Sequence, residues 1–149
     1  MARVWVFFYG MFMSRDVLIK YGVTPTSVVP GKLSGFELYI GRRGNIVRAD
    51  RSCVYGALAA VTHDDLDKLY SDLEKSAGLK YLYEPVLAET LDGTLRPALC
   101  YIAQDIEDGP SDLDYVIQLA RCVREAGLPE WYAQFVESFA IEKNDEGLT

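Results

Sequence analysis

An α+β fold, in which a small, mostly antiparallel, barrel-like sheet is flanked by helices, is what this sequence predicts. Three observations carry that prediction. Strand and turn signals fill the N-terminal two thirds, an Asp-Gly pair separates two apolar runs at Leu91-Asp92-Gly93, and helical spacing of apolar residues dominates after Ser111.

The elements follow in chain order. Val4 to Phe8 is rich in β-branched and aromatic residues and stops at Tyr9-Gly10, so it reads as a buried strand entering a loop. Ser14 is placed to cap a short helix that runs to Tyr21 and ends at Gly22. From Ser27 to Thr62 the signals are strand and turn: Val28-Val29, a turn at Pro30-Gly31, Phe36 to Ile40, a Gly/Arg loop, Ile46-Val47, and Val54 to Val61. This is a meander, not a βαβ unit. Thr62 opens a Thr-x-x-Asp capping pattern with Asp65, and a helix follows to about Lys75, closed by Gly78. Tyr81 to Thr90 and Thr94 to Ala103 form a hairpin across the Asp-Gly turn. Ser111 with Asp114 repeats the capping pattern. Leu113, Val116, Ile117, Leu119, Ala120 and Val123 then recur at helical spacing up to Gly127. Pro129 suits the first position of a last helix with Trp131, Tyr132, Phe135, Val136 and Phe139 on its apolar side. The expected organisation is one domain over residues 1–141 and a polar, frayed tail over 142–149. The exposed strand edges must be hidden by curling the sheet or covering it.

The chain has 149 residues, half of them hydrophobic and a quarter charged, which is ample for a buried core and excludes disordered or collagen-like classes. Its net charge of −7 repels polyanions. The one dense basic cluster, Arg42, Arg43, Arg48 and Arg51, has no interleaved aromatic residues for base stacking, so nucleic acid is not an expected partner. Val4 to Phe8 is too short to span a membrane and is followed by no leader cleavage site. Cys53, Cys100 and Cys122 show no metal or redox spacing and read as small buried hydrophobes. A cytoplasmic location is expected. The state of association, monomer or homodimer, stays open.

Three places attract a chemical reading. On the helix after Thr62, Leu66, Leu69, Tyr70, Leu73 and Ala77 form an apolar stripe with Glu74 on its edge near the helix end. A carboxylate held there would have its proton affinity raised by desolvation and by the unpaired carbonyls, as a general base near neutral pH requires. The bland alternative is an ordinary solvated glutamate. The corner Tyr9-Gly10-Met11-Phe12 lets backbone approach a ligand and point N–H groups at an oxyanion, or is simply a turn. Arg48 is either a bidentate clamp on a substrate carboxylate or a solvated strand residue. His63, the one histidine, reads as a surface residue, and the scattered acidic residues predict no metal site.

In chain order, Phe7-Phe8-Tyr9-Gly10, Gly31-Lys32-Leu33-Ser34-Gly35-Phe36 and Val54-Tyr55-Gly56 resemble the γ-glutamylcyclotransferase-like family, with its Tyr-Gly strand end, Gly-x-Leu-x-Gly-Phe stretch and Val-x-Gly strand. The family's Leu-Asp-x-x-Glu-Gly helix is matched by Leu69-Tyr70-Ser71-Asp72-Leu73-Glu74-Lys75, and the tyrosine of the next strand by Tyr81. Tyr101, Gly109-Pro110, Tyr115 and Glu125-Ala126-Gly127-Leu128-Pro129-Glu130-Trp131-Tyr132 resemble the closing part of the cyclotransferase branch.

The resemblance implies an enzyme that releases 5-oxoproline and a free amine from a γ-glutamyl amide, by attack of the substrate's own α-amine, with no metal or organic cofactor. By it, Glu74 carries the proton. The backbone of Gly10 and Met11 holds the oxyanion, and Tyr9, Phe12 and Tyr81 line the substrate site, with Arg48 as a further carboxylate contact. The chain departs from the family at Met11-Phe12, where small polar residues are usual, and at Lys75, where glycine is usual. Two other classes stay in play: a catalytically silent small-molecule binder of the same fold, and an interaction protein using Trp131 and Phe135.

Overall fold

The computed structural model describes residues 2–78, 80–104 and 111–147. Five strands close into a barrel in the order β1-β3-β2-β4-β5. They are β1 (Arg3–Phe8), β2 (Ser27–Ile40), β3 (Gly44–Thr62), β4 (Tyr81–Thr90) and β5 (Leu95–Ala103). Four helices flank them: α1 (Arg15–Lys20), α2 (His63–Ala77), α3 (Leu113–Glu125) and α4 (Glu130–Gly147). The expected α+β barrel is therefore present. All pairings are antiparallel except the closing seam, where β1 runs parallel to β5 with Val6 opposite Leu99.

Local signals explain most boundaries. The Ser14 hydroxyl accepts the Val17 N–H at 3.4 Å and starts α1. Thr62 accepts the Asp65 N–H at 3.2 Å, and Gly78, at φ +68, donates back to the Glu74 carbonyl, so α2 is capped at both ends. Thr90 and Thr94 close the Asp92-Gly93 turn as the hairpin pattern requires.

Four expectations need correction. No turn forms at Pro30-Gly31; β2 runs straight through, with Pro30 opposite Ala57 and Gly31 opposite Gly56, because one missing proline N–H does not outweigh a ladder thirteen pairs long. The cap of α3 is Asp112, whose carboxylate accepts the Tyr115 N–H at 3.1 Å, while the Ser111 hydroxyl donates instead to the Ile40 carbonyl at 2.6 Å. Leu113 and Ile117, one turn apart on α3, face outward, and so does Trp131 at the start of α4. Finally, α4 continues as helix to Gly147 through the stretch read as a polar tail, Glu and Lys being good helix formers. Gly109-Pro110 lies outside the described residues.

The core joins the barrel interior to the layer beneath the helices. From Ala57 to Thr62 β3 is buried on both faces, the small alanines allowing close packing on either side. Gly56 marks the tightest approach: a Cβ there would stand 2.1 Å from the Phe8 carbonyl oxygen, so the β1–β3 seam admits only glycine. That seam ends where the site begins. Leu66, Leu69 and Leu73 anchor α2, each burial worth about 2 kcal/mol. Val116, Leu119 and Val123 do the same for α3, and Tyr132 and Val136 for α4. Cys100 and Cys122 are buried and Cys53 partly so.

Candidate functional site

A cavity of about 270 Å³ opens beside the end of β1. Its wall takes Phe7 to Phe12 from β1 and the following turn, Lys20 and Tyr21 from α1, and Arg43 and Gly44 from the β2–β3 turn. Tyr70 and Leu73 come from α2, Tyr81 from β4, and Tyr115 and Gln118 from α3. Elements far apart in sequence meet here because the barrel closes β1 between β3 and β5.

Tyr9 is the pillar of the site. Its hydroxyl donates to the Tyr101 carbonyl at 2.7 Å and approaches Asn45 Oδ1 at 3.5 Å. The Asn45 amide in turn accepts the Ala103 N–H at 3.1 Å and donates to the Ala103 carbonyl at 3.4 Å. A buried phenol and a buried amide are thus both satisfied, and they fix the Tyr9-Gly10 corner against β5. The next residues turn immediately, with the Met13 N–H on the Gly10 carbonyl at 3.0 Å. Phe12 swings inward and meets Phe8, Tyr21 and Tyr70 edge-on, at centroid distances of 5.9, 5.4 and 6.3 Å.

Tyr115 sits between two glycines. A Cβ on Gly10 would lie 2.9 Å from its hydroxyl and one on Gly44 only 2.8 Å away. The Gly44 N–H donates to that hydroxyl, which couples α3 to the β2–β3 turn. Glycine is therefore required at both positions to admit the ring.

Tyr70 forms the α2 side of the wall. Its ring stacks flat on Tyr101, centroids 3.8 Å apart and planes within 4°, and meets Tyr81 at 5.5 Å. Burial pushes the phenols of Tyr9 and Tyr70 well above the ordinary tyrosine value, with neighbouring Cys100 adding to the effect. Burial also raises Tyr81, against the opposing charge of Arg43, and raises Tyr115, against the Gly44 N–H. All four phenols are neutral at physiological pH, so they are hydrogen-bonding groups and not ready bases. The Cys100 thiol, pushed up to about 12 by burial and by Glu84, is no nucleophile.

Of the residues singled out from sequence, the structure brings together Tyr9, Gly10, Met11, Phe12 and Tyr81. It leaves out two. Glu74 is exposed and does not line the cavity, because α2 turns its leucines inward and an ionised carboxylate costs several kcal/mol to bury without a partner. Arg48 is exposed on β3, paired with Glu84 at 3.0 Å and lying over the Phe36 ring at 5.2 Å, so it faces neither cavity nor ligand. Sequence reasoning missed Lys20, Arg43, Tyr70 as a wall residue, and Tyr115 as the plug between glycines. One signal was available: the spacing Leu-Asp-x-x-Glu is also met by Leu66-Asp67-Lys68-Leu69-Tyr70, which places Tyr70 where that pattern has its glutamate. Among the described residues no group of three or more His, Cys, Asp or Glu side chains is placed to hold a metal ion. No helix among them is long and apolar enough to cross a membrane.

Known proteins agree with this architecture. The chain is similar to a solved gamma-glutamyl cyclotransferase, with TM-score 0.77 at 18% identity over 91% of this chain and 86% of that one. An uncharacterized protein from Homo sapiens gives TM-score 0.77 at 18% identity, covering 92% of this chain and 88% of that one. A yeast gamma-glutamyl cyclotransferase specific to glutathione gives TM-score 0.67 at 10% identity, covering 96% and 97%. At such identities these likenesses establish the fold. No curated protein matches the chain in sequence. The model of one family, described as gamma-glutamyl cyclotransferase, AIG2-like, matches residues 6–118, a span that contains most of the cavity wall. Family and fold together support a cyclotransferase-type function. With more than half of its length matched, the chain belongs to the gamma-glutamyl cyclotransferase, AIG2-like family.

Proposed function

We propose that the cavity receives a small γ-glutamyl compound and that the chain acts primarily to bind it, Glu74 taking no part in proton transfer. The observation that supports this reading is the make-up of the wall: four tyrosines, Lys20 and Arg43, and among the described residues no carboxylate. A general base must reach its proton at about 2.6–3.2 Å, or through one water. Exposed Glu74 does not line the cavity, and the phenols, held neutral by burial, do not take up a proton near pH 7.

The family match favours a second reading, turnover. In it the α-amine of the bound γ-glutamyl amide attacks the γ-carbonyl, closes the ring of 5-oxoproline and expels the free amine. Holding the two groups together is worth about 7 kcal/mol or more for such an internal step. The N–H groups of Gly10 and Met11 take the oxyanion, Tyr81 positions the substrate, and Glu74 moves the proton from the α-ammonium to the leaving nitrogen.

One experiment separates them. The wild-type protein, Glu74→Gln and Tyr70→Glu are each offered a panel of γ-glutamyl peptides and γ-glutamyl amines, with binding followed by calorimetry and 5-oxoproline by mass spectrometry. The binding reading expects heat without 5-oxoproline from the wild type and from Glu74→Gln. Tyr70→Glu, which puts a carboxylate on the wall itself, is expected to gain release. Release by the wild type that vanishes in Glu74→Gln establishes turnover with Glu74 as its acid/base and sinks the binding reading. Absence of both heat and product across the panel removes γ-glutamyl compounds as the ligand class.

A further inference from the structure

We propose that Arg43, and not Arg48, is the residue that selects the ligand, by taking its α-carboxylate at the cavity mouth. The inference rests on the γ-glutamyl reading and adds the group that recognises the acid. Arg43 lines the cavity, whereas Arg48 is committed to Glu84 at 3.0 Å and to the face of Phe36. Among the described residues no carboxylate pairs with Arg43, and none lines the cavity around it.

The turn that carries Arg43 is held in place. Within it the Gly41 N–H donates to the Arg43 carbonyl at 3.1 Å, and the Gly41 carbonyl accepts the Asp112 N–H at 3.1 Å. On one side the Ile40 carbonyl accepts the Ser111 hydroxyl at 2.6 Å, and on the other the Gly44 N–H reaches the Tyr115 hydroxyl. A backbone so tied presents its arginine with little entropy left to lose, which is what a planar fork needs to grip a carboxylate with two parallel bonds.

Its charge already acts inside the cavity, where it opposes the burial effect on the phenols of Tyr81 and Tyr115. Lys20 adds a second cation from α1. In a chain with a net charge of −7, a cavity with two cations and no described anion selects for a negatively charged ligand.

The test is calorimetric titration of the full-length chain with γ-glutamylalanine and with its analogue bearing a carboxamide in place of the glutamyl α-carboxylate. The wild type is expected to favour the carboxylate by on the order of tenfold or more, as a charge-assisted pair implies. Arg43→Gln should bring the two probes to within about twofold by weakening only the carboxylate. Arg43→Lys should keep part of the preference, and Arg48→Gln all of it. Equal affinity of the wild type for both probes, a preference that survives Arg43→Gln, or one that is lost in Arg48→Gln overturns the assignment while leaving the γ-glutamyl reading intact. Failure of the wild type to bind either probe overturns that reading, and the assignment with it.

Discussion

The two hairpins of the barrel end in turns of opposite character. The β2–β3 turn is tied to other elements, through Gly41 to Asp112, through Ile40 to Ser111 and through Gly44 to Tyr115. The β4–β5 turn is tied only to itself: Thr90 and Thr94 exchange backbone bonds, Gly93 donates to Thr90, and the Asp92 carboxylate accepts from the Thr90 hydroxyl and the Thr94 N–H. Those bonds, led by the one from Thr90, hold the Asp92 carboxyl below its ordinary value. Both turns connect strands equally well, yet only the first lends side chains to the cavity. A turn that must place a functional group is braced from outside, whereas a turn that merely reverses the chain closes locally.

The comparison breaks most severely at Gly56, on the braced hairpin. Gly56→Ala sets a methyl 2.1 Å from the Phe8 carbonyl oxygen, a backbone atom that cannot step aside. A loss of about 3 kcal/mol or more is expected, read as a lower denaturation midpoint or failure to fold. Gly44→Ala comes next, since its Cβ meets the Tyr115 hydroxyl at 2.8 Å. It should cost about 1–3 kcal/mol and weaken ligand binding together, and Tyr115→Phe in the same chain should recover part of the stability.

A smaller effect concerns Tyr70. Burial raises its pKa in the folded chain above the unfolded value near 10, so at high pH the unfolded chain loses a proton that the folded one keeps. Its contribution is complete below about pH 10 and is lost as the pH rises further. Tyr70→Phe should flatten part of the alkaline fall in Tm, and an unchanged alkaline limb would remove Tyr70 from that account. The mildest is Gly93→Ala on the self-contained turn, where φ +92 disfavours any side chain. A loss of about 1 kcal/mol with ligand affinity unchanged is expected, and any loss of affinity would show that this turn communicates with the cavity after all.

The fold was largely legible because its signals are local. Thr62 and Asp65 announce the start of α2, Asp92-Gly93 announces a hairpin, and both stand where the pattern puts them. The site was half legible. Tyr9 to Phe12 could be found because a strand end followed by glycine is itself a local pattern, but Arg43 and Tyr115 become neighbours of that corner only when the barrel closes. Glu74 shows the limit of reading a stripe by eye. With about 100° per residue, Tyr70 stands roughly 40° from Leu66 around α2 and Glu74 roughly 80°. The pull of three buried leucines, about 2 kcal/mol each, therefore turns the tyrosine toward the cavity and the glutamate toward solvent.

The flat pairing of Tyr70 on Tyr101 also gives the protein a built-in optical reporter. Two aromatic chromophores held parallel and almost in contact couple their transitions, so their near-ultraviolet circular dichroism depends on the angle between the rings. Because Tyr70 belongs to the cavity wall and Tyr101 to the barrel behind it, a ligand that tilts Tyr70 registers in that band. Occupancy can then be followed with no label, at concentrations where a weak ligand gives little heat.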